Sequence, residues 1–301
     1  MFGTIVGDVI GSSYEGLLKQ QKKDDFLLFT KYSRFTDDTV TTIAIMEACM
    51  EIIKNEFERN FFGDFSRKIK KKLHLLDEEQ EKLEIIEKYL RDYGKKYPDA
   101  GYGYGFMKWL NDENLGPYNS YGNGSAMRVS AIPWLYNDME EIKYMAKLSA
   151  MITHNHPEGI KGAVATACAI FFARMKKDKA DIKDCIEKEF NYNLSRSADE
   201  IREEKIISAT CMDIVPEAII AFLDSDSFED AIRNAVSFGG DTDTIAAIAG
   251  GIAEAYYGGI PSDLQKEVQT RLPKDLYMQV ERFWEFVYHI RSISPDSKKI
   301  E

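Results

Sequence analysis

The chain has 301 residues, of which 44% are hydrophobic, 12% are aromatic and 30% are charged. A chain of this length can bury about 75% of its extended surface, and its apolar content is too high for an intrinsically disordered protein. Its formal net charge of −11 argues against a protein that binds extended nucleic acid through the phosphates, because such binding needs a cationic surface.

The sequence offers no obvious segment for entering or crossing a membrane. Its longest apolar stretch, residues 163–173 with only Thr166 interrupting, is shorter than the roughly 17–25 residues that a membrane helix needs. The first residues, MFGTIVGDVIG, carry an early acidic residue and no basic leader, which argues against a signal peptide. The four cysteines form no Cys-x-x-Cys pair, as is usual in a reducing compartment. We therefore expect a cytoplasmic protein.

Apolar residues recur at helical spacing along most of the chain. Near the N-terminus, Gly3, Gly7 and Gly11 share one face of a predicted helix, and a bare face lets a second backbone approach closely. A three-four-three rhythm of apolar residues from Ile43 to Ile53 then follows a polar start at Asp37. Similar rhythms predict further helices over Phe65–Leu76, Lys82–Tyr93, Ala126–Leu135, Glu140–Ile152, Gly162–Met175, Ile182–Phe190, Pro216–Leu223, Phe228–Ser237, Thr244–Tyr257 and Leu276–Ile290.

These patterns predict an all-α fold in a single domain spanning residues 1–301. No alternating run is long enough to require a sheet, and a chain with eight prolines and no Ser/Gly-rich linker shows no domain boundary. Helices this short and numerous do not readily all lie parallel. We therefore expect a multi-helix globule rather than an up-down bundle.

Two acidic clusters each lead directly into an apolar helix. The first holds Asp37 and Asp38 within FTDDT, and the second holds Asp241 and Asp243 within GGDTDT. One interpretation is a pair of N-caps, since Asp and Thr accept hydrogen bonds from the free amides of a helix start. A cap uses only one carboxylate, however, and in an extended lead-in Asp241 and Asp243 point to the same side. The alternative is a dinuclear site for hard cations such as Mg²⁺ or Mn²⁺.

Three further polar segments are candidates for a site. In GDVIGSSYEG, residues 7–16, Glu15 is interpreted either as a general base or as a surface residue. In SYGNGSAMR, residues 120–128, a Gly/Asn/Ser loop opens a helix at about Ser125 and offers amides to a phosphate, although an ordinary turn fits equally well. In THNHP, residues 153–157, the two histidines lack an obvious third ligand, so a polar loop is a better interpretation than a zinc site.

Taken in order, these segments resemble the ADP-ribosylglycohydrolase family, the group that contains the dinitrogenase-reductase-activating glycohydrolase and the ADP-ribosylserine hydrolase. The matching segments span residues 7–257 and are GDVIGSSYEG, FTDDTVTTIAI, YGNGSAMRVSAI, ITHNHPEGIKGA and SFGGDTDTIAAIAGGIAEAYYG. The pairing of TDDT with GGDTDT at this separation is specific enough that a chance match to the family is not expected. The resemblance implies an all-α orthogonal bundle that holds two Mg²⁺ or Mn²⁺ ions in a cleft.

The resemblance also implies roles for individual residues. Glu15 falls where the family keeps a glutamate over the scissile bond, while Asp8 is interpreted either as a support for the site or as a structural residue. The implied metal ligands are Thr36, Asp37, Asp38, Asp241, Asp243 and Thr244. The implied substrate-binding residues are Ser120, Tyr121, Gly122, Asn123, Gly124 and His154.

Some parts of the site stay open at this point. The neighbouring His156 leaves undecided which histidine reaches the ligand. Residues 54–115 carry no motif that can be placed, so the residues that contact adenine are not identified.

The implied activity is hydrolysis of the bond between C1″ of ADP-ribose and an acceptor on a protein or small conjugate. Bound cations would hold the ribose hydroxyls and polarise a water, and Glu15 would take its proton or assist the leaving group. Because the chain is acidic, ADP-ribosylarginine is the expected substrate, ahead of ADP-ribosylserine and small O-linked conjugates. The alternatives are a two-metal phosphoesterase acting on nucleotides and a non-catalytic relative that binds ADP-ribose.

Overall fold

The computed structural model describes residues 1–16, 23–62, 71–204 and 208–293, and within these ranges it contains α-helices and no strand. The prediction of an all-α fold is confirmed. In chain order, the helices are α1 (Phe2–Gly11), α2 (Asp37–Phe62), α3 (Lys71–Lys96), α4 (Tyr104–Asn111), α5 (Ile132–Leu135), α6 (Met139–Met151), α7 (Pro157–Arg174), α8 (Lys179–Phe190), α9 (Ala198–Glu203), α10 (Cys211–Leu223), α11 (Phe228–Phe238), α12 (Thr242–Tyr257), α13 (Ser262–Arg271) and α14 (Lys274–Ile293).

None of the described helices combines the length and the apolarity that crossing a membrane would require.

The centre of the fold is the antiparallel pair of α1 and α12, in which every residue of α1 is buried. Three glycines of α1 meet the backbone of α12: Gly3 faces Gly250, Gly7 faces Ala246, and Gly11 faces Thr242. A Cβ placed on Gly7 would lie 2.0 Å from the Ala246 carbonyl oxygen, far inside van der Waals contact. The glycines therefore allow the two helix backbones to touch, as the sequence predicts.

This close pairing places the end of α1 beside the beginning of α12. The Thr242 hydroxyl donates to the Gly11 carbonyl at 2.9 Å, and the Gly16 amide donates to the Gly240 carbonyl at 3.1 Å. Helix α2 begins nearby, because the Asp8 side chain on α1 accepts hydrogen bonds from Thr36 and Thr39. The packing therefore gathers the two acidic clusters from segments about 200 residues apart in the sequence.

The helix predicted over residues 126–135 is wrong for its first six residues. A short 3₁₀ helix (Asn123–Ser125) is followed by turns, and only Ile132–Leu135 are α-helical. Pro133 lacks an amide hydrogen and fits the first turn of a helix, so the α-helical segment starts just before it. The same finding corrects the expectation of a helix opening at Ser125.

Elsewhere the predicted elements are helices, as observed, but their number differs from that in the structure. The two helices predicted over Phe65–Leu76 and Lys82–Tyr93 are one helix, α3, and residues 65–70 lie outside the described ranges. Helices α4, α9 and α13 were not predicted. Helix α4 follows Gly101 and Gly103 and contains Gly105, and these closely spaced glycines obscure its apolar rhythm.

Candidate functional site

A cleft of about 320 Å³ lies where the beginnings of α2 and α12 face the 3₁₀ helix and its loop. One end of this cleft is acidic, and the other is lined by small and polar residues. The acidic end is lined by Glu15, Asp37, Asp38, Asp241 and Asp243, and the polar end by Ser120, Gly122, Asn123, Gly124 and His154.

Asp8 supports the acidic end from below. It is fully buried on α1, and its carboxylate accepts hydrogen bonds from the amides and hydroxyls of Thr36 and Thr39. Burial raises the pKa of Asp8 to about 6, although these four hydrogen bonds oppose the shift. Asp8 therefore ties α1 to the start of α2 and fixes the direction in which Asp37 and Asp38 leave the backbone, which supports both interpretations of this residue.

Asp37 and Asp38 are the first two residues of α2, and both side chains face the cleft. Burial, with the charges of Asp8 and Asp241, raises the pKa of Asp37 to about 7. Burial, followed by the charges of Asp8 and Asp37, raises the pKa of Asp38 well above its usual value. One oxygen of Asp38 accepts from the Thr244 hydroxyl at 3.2 Å, while the other, Oδ1, is buried with no hydrogen-bond partner among the described residues.

Asp241, Asp243 and Glu15 converge on one point from the opposite side of the cleft. Each offers a carboxylate oxygen, and these oxygens all lie within 4.8 Å of one another. Asp241 precedes α12 and Asp243 lies in its first turn. The predicted convergence is therefore correct, but a helix start rather than an extended lead-in produces it. Burial and the Asp241 charge raise the pKa of Asp243 well above its usual value, and the same two causes raise that of Glu15.

The donor set of the acidic end fits a hard divalent cation. Five carboxylates are crowded together, and burial with mutual repulsion raises the pKa values of four of them: Glu15, Asp37, Asp38 and Asp243. A buried carboxylate oxygen without a donor is costly, and a cation would satisfy it. Two plain N-caps would not bring these groups together, so the geometry favours a cation-binding arrangement.

The polar end is built from the loop before the 3₁₀ helix. The Asn123 amide donates to the Ala209 carbonyl at 2.9 Å, and the Gly122 amide donates to the Ser120 hydroxyl at 3.2 Å. The Asn123 side chain donates to Asp241 at 2.7 Å and so links the two ends of the cleft. Gly124 lies close to His154, since a Cβ there would be 3.1 Å from Nε2 of that ring and would require the imidazole to shift slightly.

The structure places the two histidines differently relative to the cleft. His154 lines the cleft and is 5% exposed, whereas His156 caps the start of α7 by accepting from the Glu158 amide at 3.1 Å. Burial, followed by the charge of Arg128, lowers the pKa of His154 well below its usual value. His154 therefore faces the ligand space as a neutral imidazole.

Most sequence-predicted site residues line the cleft, but two do not. Thr36 lies beneath it with its hydroxyl donating to Asp8 at 2.7 Å, and the Tyr121 ring is about half exposed beside the His156 ring. The sequence analysis missed several other lining residues: Thr41, Gly101, Gly103, Gly105, Phe106, Tyr118, Met127, Arg128 and Ala209. The closely spaced glycines in GYGYG, residues 101–105, were the signal that could have indicated a wall open to a ligand.

Comparisons with known proteins identify the family of the chain. A family model described as ADP-ribosylglycohydrolase matches residues 1–289. The chain is 26% identical over 352 aligned residues to ADP-ribosylhydrolase ARH3 of Mus musculus, covering 92% of this chain and 88% of that protein. It is 25% identical over 173 residues to ADP-ribosylarginine hydrolase Tri1 of Pseudomonas putida, covering 53% of this chain and 46% of that protein. A solved structure titled "ADP-ribosylglycohydrolase-related protein complex" matches the fold with a TM-score of 0.63 at 20% identity, covering 95% of each chain.

Proposed function

The chain belongs to the ADP-ribosylglycohydrolase family and is an enzyme that hydrolyses ADP-ribose conjugates, and from this premise we propose that its cleft releases ADP-ribose from arginine in preference to other acceptors. The observation that carries the proposal is the polarity of the cleft. Carboxylates converge at one end, while a Gly/Asn loop and a neutral histidine lie at the other. ADP-ribose has the matching polarity, with a neutral ribose at its reacting end and an anionic diphosphate behind it.

At the acidic end, five lining residues would hold divalent cations: Asp37, Asp38, Asp241, Asp243 and Thr244. Thr36, which lies beneath them, would be a sixth ligand, because its hydroxyl oxygen keeps a lone pair while its hydrogen goes to Asp8. We assign two Mg²⁺ or Mn²⁺ ions to them, because carboxylate and hydroxyl oxygens suit hard cations. When bound, such cations supply Lewis-acid polarisation of the ribose hydroxyls and of a water. The unpartnered Oδ1 of Asp38 supports this assignment.

Glu15 is assigned the proton transfer. Its carboxylate lies at the rim of the cleft and shares a point of convergence with Asp241 and Asp243. In the reaction, a water oxygen forms a bond to C1″ as the bond from C1″ to the acceptor breaks, and the acceptor keeps the electron pair. Glu15 takes the proton that the water loses, and positive charge spreads over the ribose ring in the transition state.

At the polar end, Ser120, Gly122, Asn123, Gly124 and His154 are assigned to the diphosphate and the adjoining ribose. The Ser120 hydroxyl, the second N–H of the Asn123 side chain and an imidazole N–H are donors, and donors suit phosphate oxygens. The Gly122 and Asn123 backbone amides already donate to Ser120 and Ala209. Tyr121 is assigned only a contact at the rim, because about half of its surface is exposed.

The preference for arginine rests on charge. The net charge of −11 favours the approach of a substrate whose acceptor is a cationic guanidinium over one whose acceptor is a neutral serine. A partial match, covering 53% of this chain and 46% of that protein, to a protein named ADP-ribosylarginine hydrolase points the same way, whereas the fuller matches are to proteins named ADP-ribosylhydrolase ARH3, a name that states no acceptor. ADP-ribosylserine and small O-linked conjugates are the next candidates.

The test is chromatographic separation of the products released from peptides carrying ADP-ribosylarginine or ADP-ribosylserine, in MgCl₂, in MnCl₂ and in EDTA. We expect ADP-ribose as the product, faster release from arginine, and loss of activity in EDTA and in Asp243→Asn. The matched control is Asp138→Asn, which changes an exposed N-cap of α6. Faster release from serine would overturn the arginine preference, full activity in EDTA would overturn the metal assignment, and release of AMP would favour a phosphoesterase.

A further inference from the structure

Three buried side chains in the wall of the cleft are connected by hydrogen bonds that end on the ring of His154. The Arg128 guanidinium donates to the Ser149 carbonyl at 2.6 Å and to the Thr153 hydroxyl oxygen at 3.0 Å. That hydroxyl oxygen lies 2.7 Å from Nδ1 of His154. Because Arg128 and Thr153 are 1% and 0% exposed, their donors and acceptors must satisfy one another rather than bulk water.

The chemistry of the three side chains determines which atom donates and which accepts in each of these hydrogen bonds. A guanidinium can only donate, so the Thr153 oxygen accepts from Arg128. The hydroxyl keeps one hydrogen to donate, and Nδ1 of a neutral imidazole can accept it. Tyr118 also makes a side-chain hydrogen bond with Thr153. Burial raises the pKa of Tyr118 and that bond opposes the shift, as a hydroxyl donating to the phenol oxygen does, so the Thr153 hydrogen has two candidate acceptors. An imidazole nitrogen is a stronger acceptor than a phenol oxygen, which favours His154.

With Nδ1 accepting, the single proton of neutral His154 must sit on Nε2. This nitrogen is beside Gly124, where an added Cβ would come within 3.1 Å of it. The Nε2–H group therefore faces the polar end of the cleft as a donor. A protonated Nε2 and an occupied Nδ1 leave His154 no free lone pair, which excludes this residue as a general base.

Arg128 adds positive charge to the same end of the cleft. Burial lowers its pKa to about 10, so the guanidinium stays charged at neutral pH. No carboxylate in the described part of the chain forms an ion pair with it, and its buried Nε has no hydrogen-bond partner there. An uncompensated cation beneath the wall favours an anionic ligand.

We propose that Arg128 and Thr153 are positioning residues that hold His154 as an Nε2–H donor to an anionic oxygen of the ligand. For ADP-ribose, that oxygen belongs to the diphosphate. This assignment of the ligand rests on the proposed function, whereas the position of the proton on His154 does not. The two statements are therefore tested separately.

The first experiment locates the proton in the unmodified protein. Long-range ¹H–¹⁵N correlation spectra of uniformly ¹⁵N-labelled protein separate the two neutral tautomers and the cation of each of the four histidines. His154→Gln assigns the signal. We expect neutral His154 with the proton on Nε2 between pH 6 and pH 8, in the wild type and in Tyr118→Phe. A proton on Nδ1, or a charged ring at pH 7, would overturn the proposal.

The second experiment measures the affinity for ADP-ribose by calorimetry. Thr153→Val removes the hydroxyl at nearly constant volume, and we expect it to weaken binding at least about tenfold, or about 1.4 kcal/mol. Thr153→Ser keeps the hydroxyl and should bind within about twofold of the wild type. Wild-type affinity in Thr153→Val, or equally weakened binding of ADP-ribose in both variants, would contradict the proposal that Thr153 positions His154.

Two outcomes need separate treatment. If Thr153→Val unfolds, as judged by its melting temperature, Thr153→Ser and the NMR result carry the decision. If the wild type itself fails to bind ADP-ribose, the proposed function fails, while the tautomer measurement still decides the position of the proton.

Discussion

Individual carboxylates at the acidic end of the cleft are buried close to one another, and the protein by itself does not balance their negative charges. Burial, followed by the charges of Asp8 and Asp37, raises the pKa of Asp38, and one of its oxygens has no donor in the described structure. Such a site costs stability until a cation fills it. Metal-free and metal-bound protein should therefore respond in opposite ways to the same substitution.

Asp38→Asn removes one buried charge and should raise the melting temperature of the metal-free protein, by about 1.5–2 °C for each kcal/mol of repulsion relieved in a chain of 301 residues. The same variant should lose most of the stabilisation that MgCl₂ gives the wild type, because a ligand stabilises only the state that binds it. Thermal-shift titrations in EDTA and in MgCl₂ measure both effects. Asp138→Asn, at an exposed helix cap, is the control and should keep the full response to MgCl₂.

Glu15→Gln should separate binding from chemistry. The change removes a proton acceptor at the cleft rim and nearly preserves its shape, so ADP-ribose affinity should stay within a few-fold. The single-turnover rate should fall by roughly 10²–10⁴, the usual range for a lost acid or base. Calorimetry measures the affinity for ADP-ribose, and rapid quenching measures the single-turnover rate. A collapse of affinity with an unchanged rate constant would make Glu15 a binding residue instead.

At the scale of helices, the contact between α1 and α12 sets the geometry of the cleft. Gly7→Ala would drive a Cβ to within 2.0 Å of the Ala246 carbonyl oxygen, and a backbone atom cannot rotate away as a side chain can. We expect a loss of at least about 3 kcal/mol in the free energy of unfolding, measured by urea denaturation. Gly103→Ala is the matched control, since an added Cβ there meets nothing within 4 Å and its φ of −61° suits alanine.

Helix α10 carries a buried acid that should make stability depend on pH. Glu217 is 1% exposed, and burial raises its pKa from 4.5 to about 7, while Arg196 at 3.7 Å opposes the shift. The folded protein therefore holds a proton that the unfolded chain releases between these two values. In that window the folded state binds more protons, so this contribution to stability falls as pH rises from about 4.5 to 7.

Glu217→Gln should remove this dependence. At pH 8 we expect the variant to be more stable than the wild type by on the order of 1–3 kcal/mol, because it carries no buried charge. Near pH 4.5 the two proteins should be about equal. Urea denaturation at both pH values measures the difference, and a variant less stable than the wild type at pH 8 would show that the ion pair with Arg196 outweighs burial.

The whole molecule is strongly acidic, and its net charge should affect the choice among ADP-ribosylated substrates. A DNA conjugate must bring a phosphate backbone toward a protein of net charge −11, so its cleavage should be slow at low salt and accelerate as salt screens the repulsion. Cleavage of an ADP-ribosylarginine peptide should show the opposite salt trend. Competition between the two substrates at 20 mM and about 200 mM NaCl measures this; faster cleavage of DNA at low salt would contradict it.

The sequence by itself determined the class of the fold and the identity of most cleft residues. Helical class follows from apolar periodicity, which is a local property of the chain. The segments around Asp37 and Asp241 stood out because each places more than one acidic residue directly before an apolar helix, whereas Glu15 and the loop at Asn123 gained their roles only from the resemblance to the family. The order of these segments along the chain then carried the resemblance to the family.

Only the tertiary structure decided which of these groups meet. Asp38 and Thr244 are 206 residues apart in the sequence, and their contact depends on the approach of α1 to α12. The choice of His154 over His156, the glycine-lined wall at residues 101–105 and the buried Arg128 likewise follow from packing. No local pattern encodes such contacts, because each depends on how distant backbones pack, and packing is a property of the whole core.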